Sequence, residues 1–182
     1  MKQIELTQGL FAQVDDEDYD YLNQWKWSAS KDGHTYYAVR HEYYSIDPTL
    51  KRQIWKSKAV NMHRLLLGLT DPKVKGDHKD RNGLNNQRNN IRIATSAENN
   101  MNRKSCGVSK YLGVSIKKNK STNKKLDYEL IVLKWKATIN TKIKNISLGA
   151  FPYTPQGEIL AAKAYDAAAK IHHKEFANLN FK

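Results

Sequence analysis

The stretch from Val74 to Asn102 constrains the fold most. Val74–His78 reads as a short strand, Lys79–Asn89 as an asparagine-rich loop and Ile91–Ala94 as a second strand. Thr95-Ser96-Ala97-Glu98 then forms a capping box, with Thr95 as N-cap and Glu98 three residues on, opening a helix to about Asn102. A strand–loop–strand–helix of this size cannot build its own core, because units below about 40 residues need a metal or a neighbour. It is therefore expected to pack on the chain before it, making residues 1–103 one domain: a β-rich scaffold module over 1–60 and the smaller unit over 61–103.

The residues before it read as mostly β. Gln3–Thr7 and Leu10–Val14 surround a Gln8-Gly9 turn, and Trp25–Ser30 and Thr35–Arg40 flank the hairpin signal Lys31-Asp32-Gly33. Between them Asp15–Asp18 precedes Tyr19, Tyr21, Leu22 and Trp25, spaced for a short helix with acids in its first turn. Ile54–Val60 is a further strand, and Met62–Leu67 a short helix stopped at Gly68.

Residues 104–110 read as a linker to a second domain over 111–182. There Leu112, Val114 and Ile116 alternate with Gly113, Ser115 and Lys117, and Trp135, Ala137 and Ile139 with Lys136, Thr138 and Asn140. Ile146 and Leu148 alternate with Asn145 and Ser147, and Asn119–Leu133 adds length between the first two strands, enough for a long hairpin. Thr154-Pro155 caps a helix whose Ala161, Ala162, Tyr165, Ala168, Ala169 and His172 share a face. One helix on a three-stranded antiparallel sheet leaves the other sheet face polar and open. The fold class is α+β.

Charge is distributed unevenly. The chain holds 31 Lys+Arg against 18 Asp+Glu, a formal +13, over 182 residues. Residues 1–60 carry 8 basic and 9 acidic side chains, residues 61–103 carry 8 and 4, and residues 104–182 carry 15 lysines against 5 acids. A basic excess over a whole module is the footprint of a nucleic-acid partner. No apolar run reaches the roughly 18 residues of a membrane span, and Met1-Lys2-Gln3-Ile4-Glu5 lacks the apolar stretch expected of a secretory signal. A single cysteine, Cys106, excludes a disulfide framework and a cysteine-rich zinc cage. A soluble, intracellular protein is expected.

Within residues 77–99 the chain places Asp77, His78, Asn90 and Asn99. Asp77 can give a hard oxygen to a divalent metal, and His78 can take a proton near neutral pH. Asn90 can accept from an imidazole N–H and fix its tautomer, with Asn86 and Asn89 as rivals for that role. Asn99, one turn into the helix, can supply a second metal oxygen. Arg88, Arg92 and Arg103 offer charge for phosphate.

The segment Gly76-Asp77-His78-Lys79-Asp80, Asn89-Asn90-Ile91-Arg92, Glu98-Asn99-Asn100-Met101-Asn102 resembles the HNH endonucleases with their ββα-metal motif, especially the homing-type enzymes of phages and mobile introns. Met62-His63-Arg64 and the neighbourhoods of Val14-Asp15-Asp16 and Trp27-Ser28 share that likeness. The resemblance implies His78 as general base, Asn90 as its orienting residue, and Asp77 and Asn99 as ligands of one Mg²⁺ or Mn²⁺. It implies double-stranded DNA as substrate, and a phage or mobile-element protein acting in the cytoplasm of a bacterial host. A monomer or a homodimer, nicking or cutting both strands, are open alternatives.

Residues 111–182 resemble the Apetala-two domain of plant ethylene-response factors, through Tyr111-Leu112-Gly113-Val114, Trp135-Lys136-Ala137, Leu148-Gly149-Ala150-Phe151, Ala161–Ala168 and Leu179-Asn180-Phe181. That family lays its sheet in the DNA major groove, which implies Ser115, Lys117, Lys136, Thr138, Asn140, Asn145 and Ser147 as the DNA-facing set. The plant pattern has Arg at positions 112, 115, 140 and 145 and Trp at 147, so its site preference does not transfer.

A competing reading is a sequence-specific DNA-binding regulator with a vestigial nuclease fold. Trp25, Trp27, Trp55 and Trp135 are expected in cores rather than as base-stacking platforms. The acids Asp15–Asp20 are expected to form a solvated helix start, and His172 and His173 to close the last helix.

Overall fold

The computed structural model describes residues 1–45, 55–102, 105, 107–123, 128–141 and 143–181, with side chains at position 55 and over 121–130 excepted. Arg103 and residues 46–54 lie outside these, and so does the Trp55 side chain. The chain divides into two compact units, Met1–Asn99 and Asn100–Lys182. Mixed α+β structure is built from four antiparallel sheets and, among the described residues, four α-helices.

The first unit begins with β1 (Lys2–Glu5) and β2 (Phe11–Val14), joined through a 3-10 turn where Gln8 and Gly9 both take positive φ. Helix α1 (Asp16–Leu22) carries Asp16, Glu17 and Asp18 in its first turn, where acids oppose the exposed N–H groups. β3 (Ser28–Asp32), β4 (Thr35–Ser45) and β5 (Trp55–Asn61) form a sheet in that order, with the β3–β4 turn at Gly33, φ +56°. Its core holds Ile4, Leu6, Val14, Leu22, Trp27 and Met62. Leu22, Val14 and Met62 are fully enclosed, each contributing about 1.5–3 kcal/mol by leaving water. Trp27 is in the core with its indole N–H donated to Leu22 O at 2.8 Å, and Trp25 packs against it half-buried.

Met62 begins α2 (Met62–Leu66), so the residue that anchors this helix in the core also fixes its neighbour His63. Arg64 donates to the carbonyls of Val74 (2.6 Å) and Asp71 (2.8 Å), pinning the loop that leads into β6 (Lys75–His78). β7 (Ile91–Ala94) pairs with β6 antiparallel, placing Asp77 across from Arg92 and His78 across from Ile91. Helix α3 (Ser96–Met101) starts at the expected capping box: Thr95 N–H donates to Glu98 Oε2 at 2.8 Å, and Glu98 N–H to Thr95 Oγ1 at 3.2 Å.

In the second unit β8 (Val114–Asn123), β9 (Tyr128–Asn140) and β10 (Asn145–Pro152) form a sheet in the order β10-β9-β8. β8 and β9 run past the expected strand ends into the long hairpin that the extra length allowed. Helix α4 (Pro155–His172) is capped by Thr154 Oγ1, which accepts from Gly157 N–H at 3.1 Å. Its alanines let it lie close on Val114, Trp135, Ala137 and Ile139. The expected face ends differently: His172 is exposed, and His173, four residues after Ala169, is the buried one. No helix among the described residues is long and apolar enough to cross a membrane.

Candidate active site

His78 closes β6 and is buried. Its Nε2 lies 3.3 Å from Asn86 Oδ1, while Asn86 Nδ2 donates to Leu84 O at 3.3 Å. An amide oxygen only accepts, so this bond puts the ring proton on Nε2 and the basic lone pair on Nδ1. Burial lowers the His78 pKa, only partly offset by the Asn86 bond and the charges of Asp80 and Asp77, so the ring is neutral near pH 7.

The sequence pointed first to Asn90 for this orienting bond, and the structure gives it to Asn86, one of the two rivals. Asn90 turns its amide to the loop instead. Its Nδ2 donates to Asp80 Oδ1 (2.9 Å) and Asn85 O (2.8 Å), and its Oδ1 accepts from Asp80 N–H (3.1 Å). Burial raises the Asp80 carboxyl, but bonds from Asn82 N–H, Asn85 and Asn90 outweigh it and hold the pKa below the ordinary value. The asparagines of this loop are therefore a carboxylate-centred brace. Asn86, with no exposed surface, is the member that faces the imidazole.

The loop is docked on the N-terminal strands and helix. Gln13 N–H donates to Leu84 O and Asn86 N–H to Gln13 O, both at 2.8 Å. Asp15 accepts from Arg88 N–H at 2.7 Å and from Gln87 Nε2 at 3.2 Å. Arg88, expected near phosphate, gives Nε and Nη2 to Asp18 at 2.8 and 2.6 Å, and these bonds raise its pKa. The acidic run is thus the seat of the loop as well as a helix start. Sequence spacing alone could not show this, because the partners are about 70 residues apart.

Asp77 is buried and receives Arg92 Nε (2.8 Å) and Nη2 (2.7 Å) on Oδ2. That pairing follows from the register, which sets the two residues opposite each other across β6–β7. Asn99 is exposed on α3, one turn after the capping residue, and its N–H donates to Thr95 O. No group of three or more His, Cys, Asp or Glu side chains able to hold a metal occurs among the described residues. One carboxylate and one amide oxygen suit Mg²⁺, a hard ion that keeps several waters and completes its shell with substrate phosphate. They do not suit a structural zinc, which takes four N or S ligands.

Two rings lie against His78: His63, for which the sequence left bracing of the site, phosphate contact and helix packing open, and Tyr37, which the sequence did not single out. His63 packs edge-on to it, with centroids 4.8 Å apart and planes at 69°, and Tyr37 lies 5.7 Å from both. Burial, then the nearby His78 and Arg64, lowers the His63 pKa to about 3. Burial, then the charges of Asp32 and Asp77, raises that of Tyr37. The available signals were Gly76 and Gly83, whose missing side chains make room for these rings.

In the second unit the register opposes Ser115 to Lys136, Lys117 to Lys134, Ser147 to Thr138 and Asn145 to Asn140. The pleat places all of them on the face away from α4. Lys136 and Thr138 are half-buried and the others exposed. Lys134, which the sequence reading did not name, shares this face. A register shift between Ser147 and Gly149 takes up one extra residue in β10, and His173 Nε2 donates to Asn140 O at 2.9 Å, tying the end of β9 to the end of α4.

Searches of family models, curated proteins and solved structures find no match to this chain.

Proposed function

We propose that the chain is a metal-dependent DNA endonuclease of the HNH type that hydrolyses phosphodiester bonds in double-stranded DNA, directed to its site by the open sheet face of the second unit. The observation that carries this reading is the buried, neutral His78 with its tautomer set by Asn86, one residue from a buried carboxylate. His78 Nδ1 takes the proton of the attacking water, which is worth about 10²–10⁴ in rate. Asp77 and Asn99 would hold one Mg²⁺ or Mn²⁺, which when bound stabilises negative charge on the phosphoryl group and the leaving oxygen.

Arg92 orients Asp77. Arg88 secures the loop rather than the substrate. On the sheet, Lys117, Lys134 and Lys136 supply phosphate charge, and Thr138, Asn140, Asn145, Ser115 and Ser147 offer donors and acceptors to base edges. Relaxation of a supercoiled plasmid in Mg²⁺, and its absence in EDTA, tests the reading. An equal outcome in both would remove it.

A further inference from the structure

We infer that His63 is a positioning residue for His78, holding the plane of its imidazole by an edge-to-face ring contact; this rests on the endonuclease reading above. Rotation about the last torsion of a histidine is broad, so the plane of the His78 ring depends on what packs against it as well as on the Nε2 bond. A second ring set edge-on, as His63 is, restrains that plane directly. His63 is placed to do this by two features. Met62, buried in the core, fixes the start of α2, and Gly76 leaves open the space the His63 ring occupies.

The strand pleat makes the placement specific. Gly76 and His78 are two apart on β6 and so share a face, opposite to that of Asp77. A Cβ at Gly76 would stand 2.5 Å from His63 Cδ2, closer than carbon atoms approach. Tyr37 bounds the cluster from β4 and is itself seated on Gly83, where a Cβ would meet its ring at 2.7 Å.

The test uses the full chain, with plasmid nicking in Mg²⁺ and long-range ¹⁵N–¹H spectra of the His78 ring. His63→Ala should lower kcat about 10–100-fold with KM for the duplex nearly unchanged, because misplacing a reacting group by about 1 Å costs of that order. His63→Phe, which keeps an edge-on ring, should recover most of the rate. Gly76→Ala, which displaces His63 without removing it, should behave like His63→Ala and stands in if the latter fails to fold. In the spectra the wild type should show one Nε2–H tautomer, and His63→Ala an averaged or broadened pattern.

An unchanged kcat, or an unchanged His78 pattern, in His63→Ala overturns the inference. Loss of rate in His63→Phe equal to that in His63→Ala also overturns it. A wild type that does not nick removes the endonuclease reading instead, while the spectra still decide whether His63 positions the ring.

Discussion

Asp18 on α1 grips Arg88 of the asparagine-rich loop through a two-pronged bond, Nε to Oδ2 at 2.8 Å and Nη2 to Oδ1 at 2.6 Å. Asp18 is 5% exposed, while Arg88 keeps about half its side chain in water. Asp18→Ala should cost about 2 kcal/mol, the scale for hydrogen bonds to a charged group. Arg88→Ala should cost a similar amount, since it strands a buried carboxylate. The double variant should cost less than the two together. Urea unfolding of the four proteins checks this. An Arg88→Ala protein of unchanged stability but raised KM for DNA would return Arg88 to a phosphate-binding role.

The two asparagines that competed for the His78 contact should separate in their effects. Asn86→Ala removes the acceptor at Nε2 and should cut the nicking rate at saturating DNA about 10–100-fold, part of what a general base supplies. Asn90→Ala unties Asp80 and Asn85 and should mainly lower the melting temperature. Parallel rate and thermal-unfolding measurements distinguish them. The opposite pattern would reinstate Asn90 beside the imidazole.

Much of the local structure was legible in the sequence. The Thr95–Glu98 capping box, the Thr154 cap, the Gly33 turn and the period-2 alternation of β8–β10 are short-range signals, each set by residues a few positions apart. The chemistry-bearing side chains were less legible because their partners are distant. Asn86 and Asn90 sit in a run of amides with equal local claims, and only the docking of the loop on Gln13 and Asp15 decides which one turns inward. The acids of α1 satisfied a local rule for helix starts, which hid their longer-range bonds to Gln87 and Arg88. His172 and His173 differ by one helical step, and the extra turn at the helix end brings His173 inward.

Acid should unfold the first unit through His63. Its pKa is about 3 in the folded chain against an ordinary 6.5, so between those values the unfolded chain binds the extra proton. Stability is then full above pH 6.5 and falls as pH drops, by up to about 1.4 kcal/mol per unit. Urea midpoints taken across this range should decline for the wild type and decline less steeply in His63→Phe, where buried His78 still contributes. The lowered pKa of His78 likewise places the acid limb of the nicking rate below pH 6.5.

The open sheet of the second unit should divide by residue chemistry. Lys117→Ala and Lys134→Ala should weaken all duplexes alike and reduce the slope of log affinity on log salt by about 1 each. Thr138→Ala, Asn140→Ala and Asn145→Ala should instead relax preference among sequences. Fluorescence anisotropy over a salt series and a randomised duplex pool reads both. Equal loss on every duplex for all five would make the sheet a nonspecific phosphate surface.

The most direct measurement is the single-turnover nicking rate of His78→Ala against wild type in saturating Mg²⁺, with DNA affinity measured alongside. The account predicts a loss of about 10²–10⁴ in rate at unchanged affinity, and 5′-phosphate and 3′-hydroxyl ends from the wild type. A His78→Ala protein that nicks as fast as wild type would contradict it.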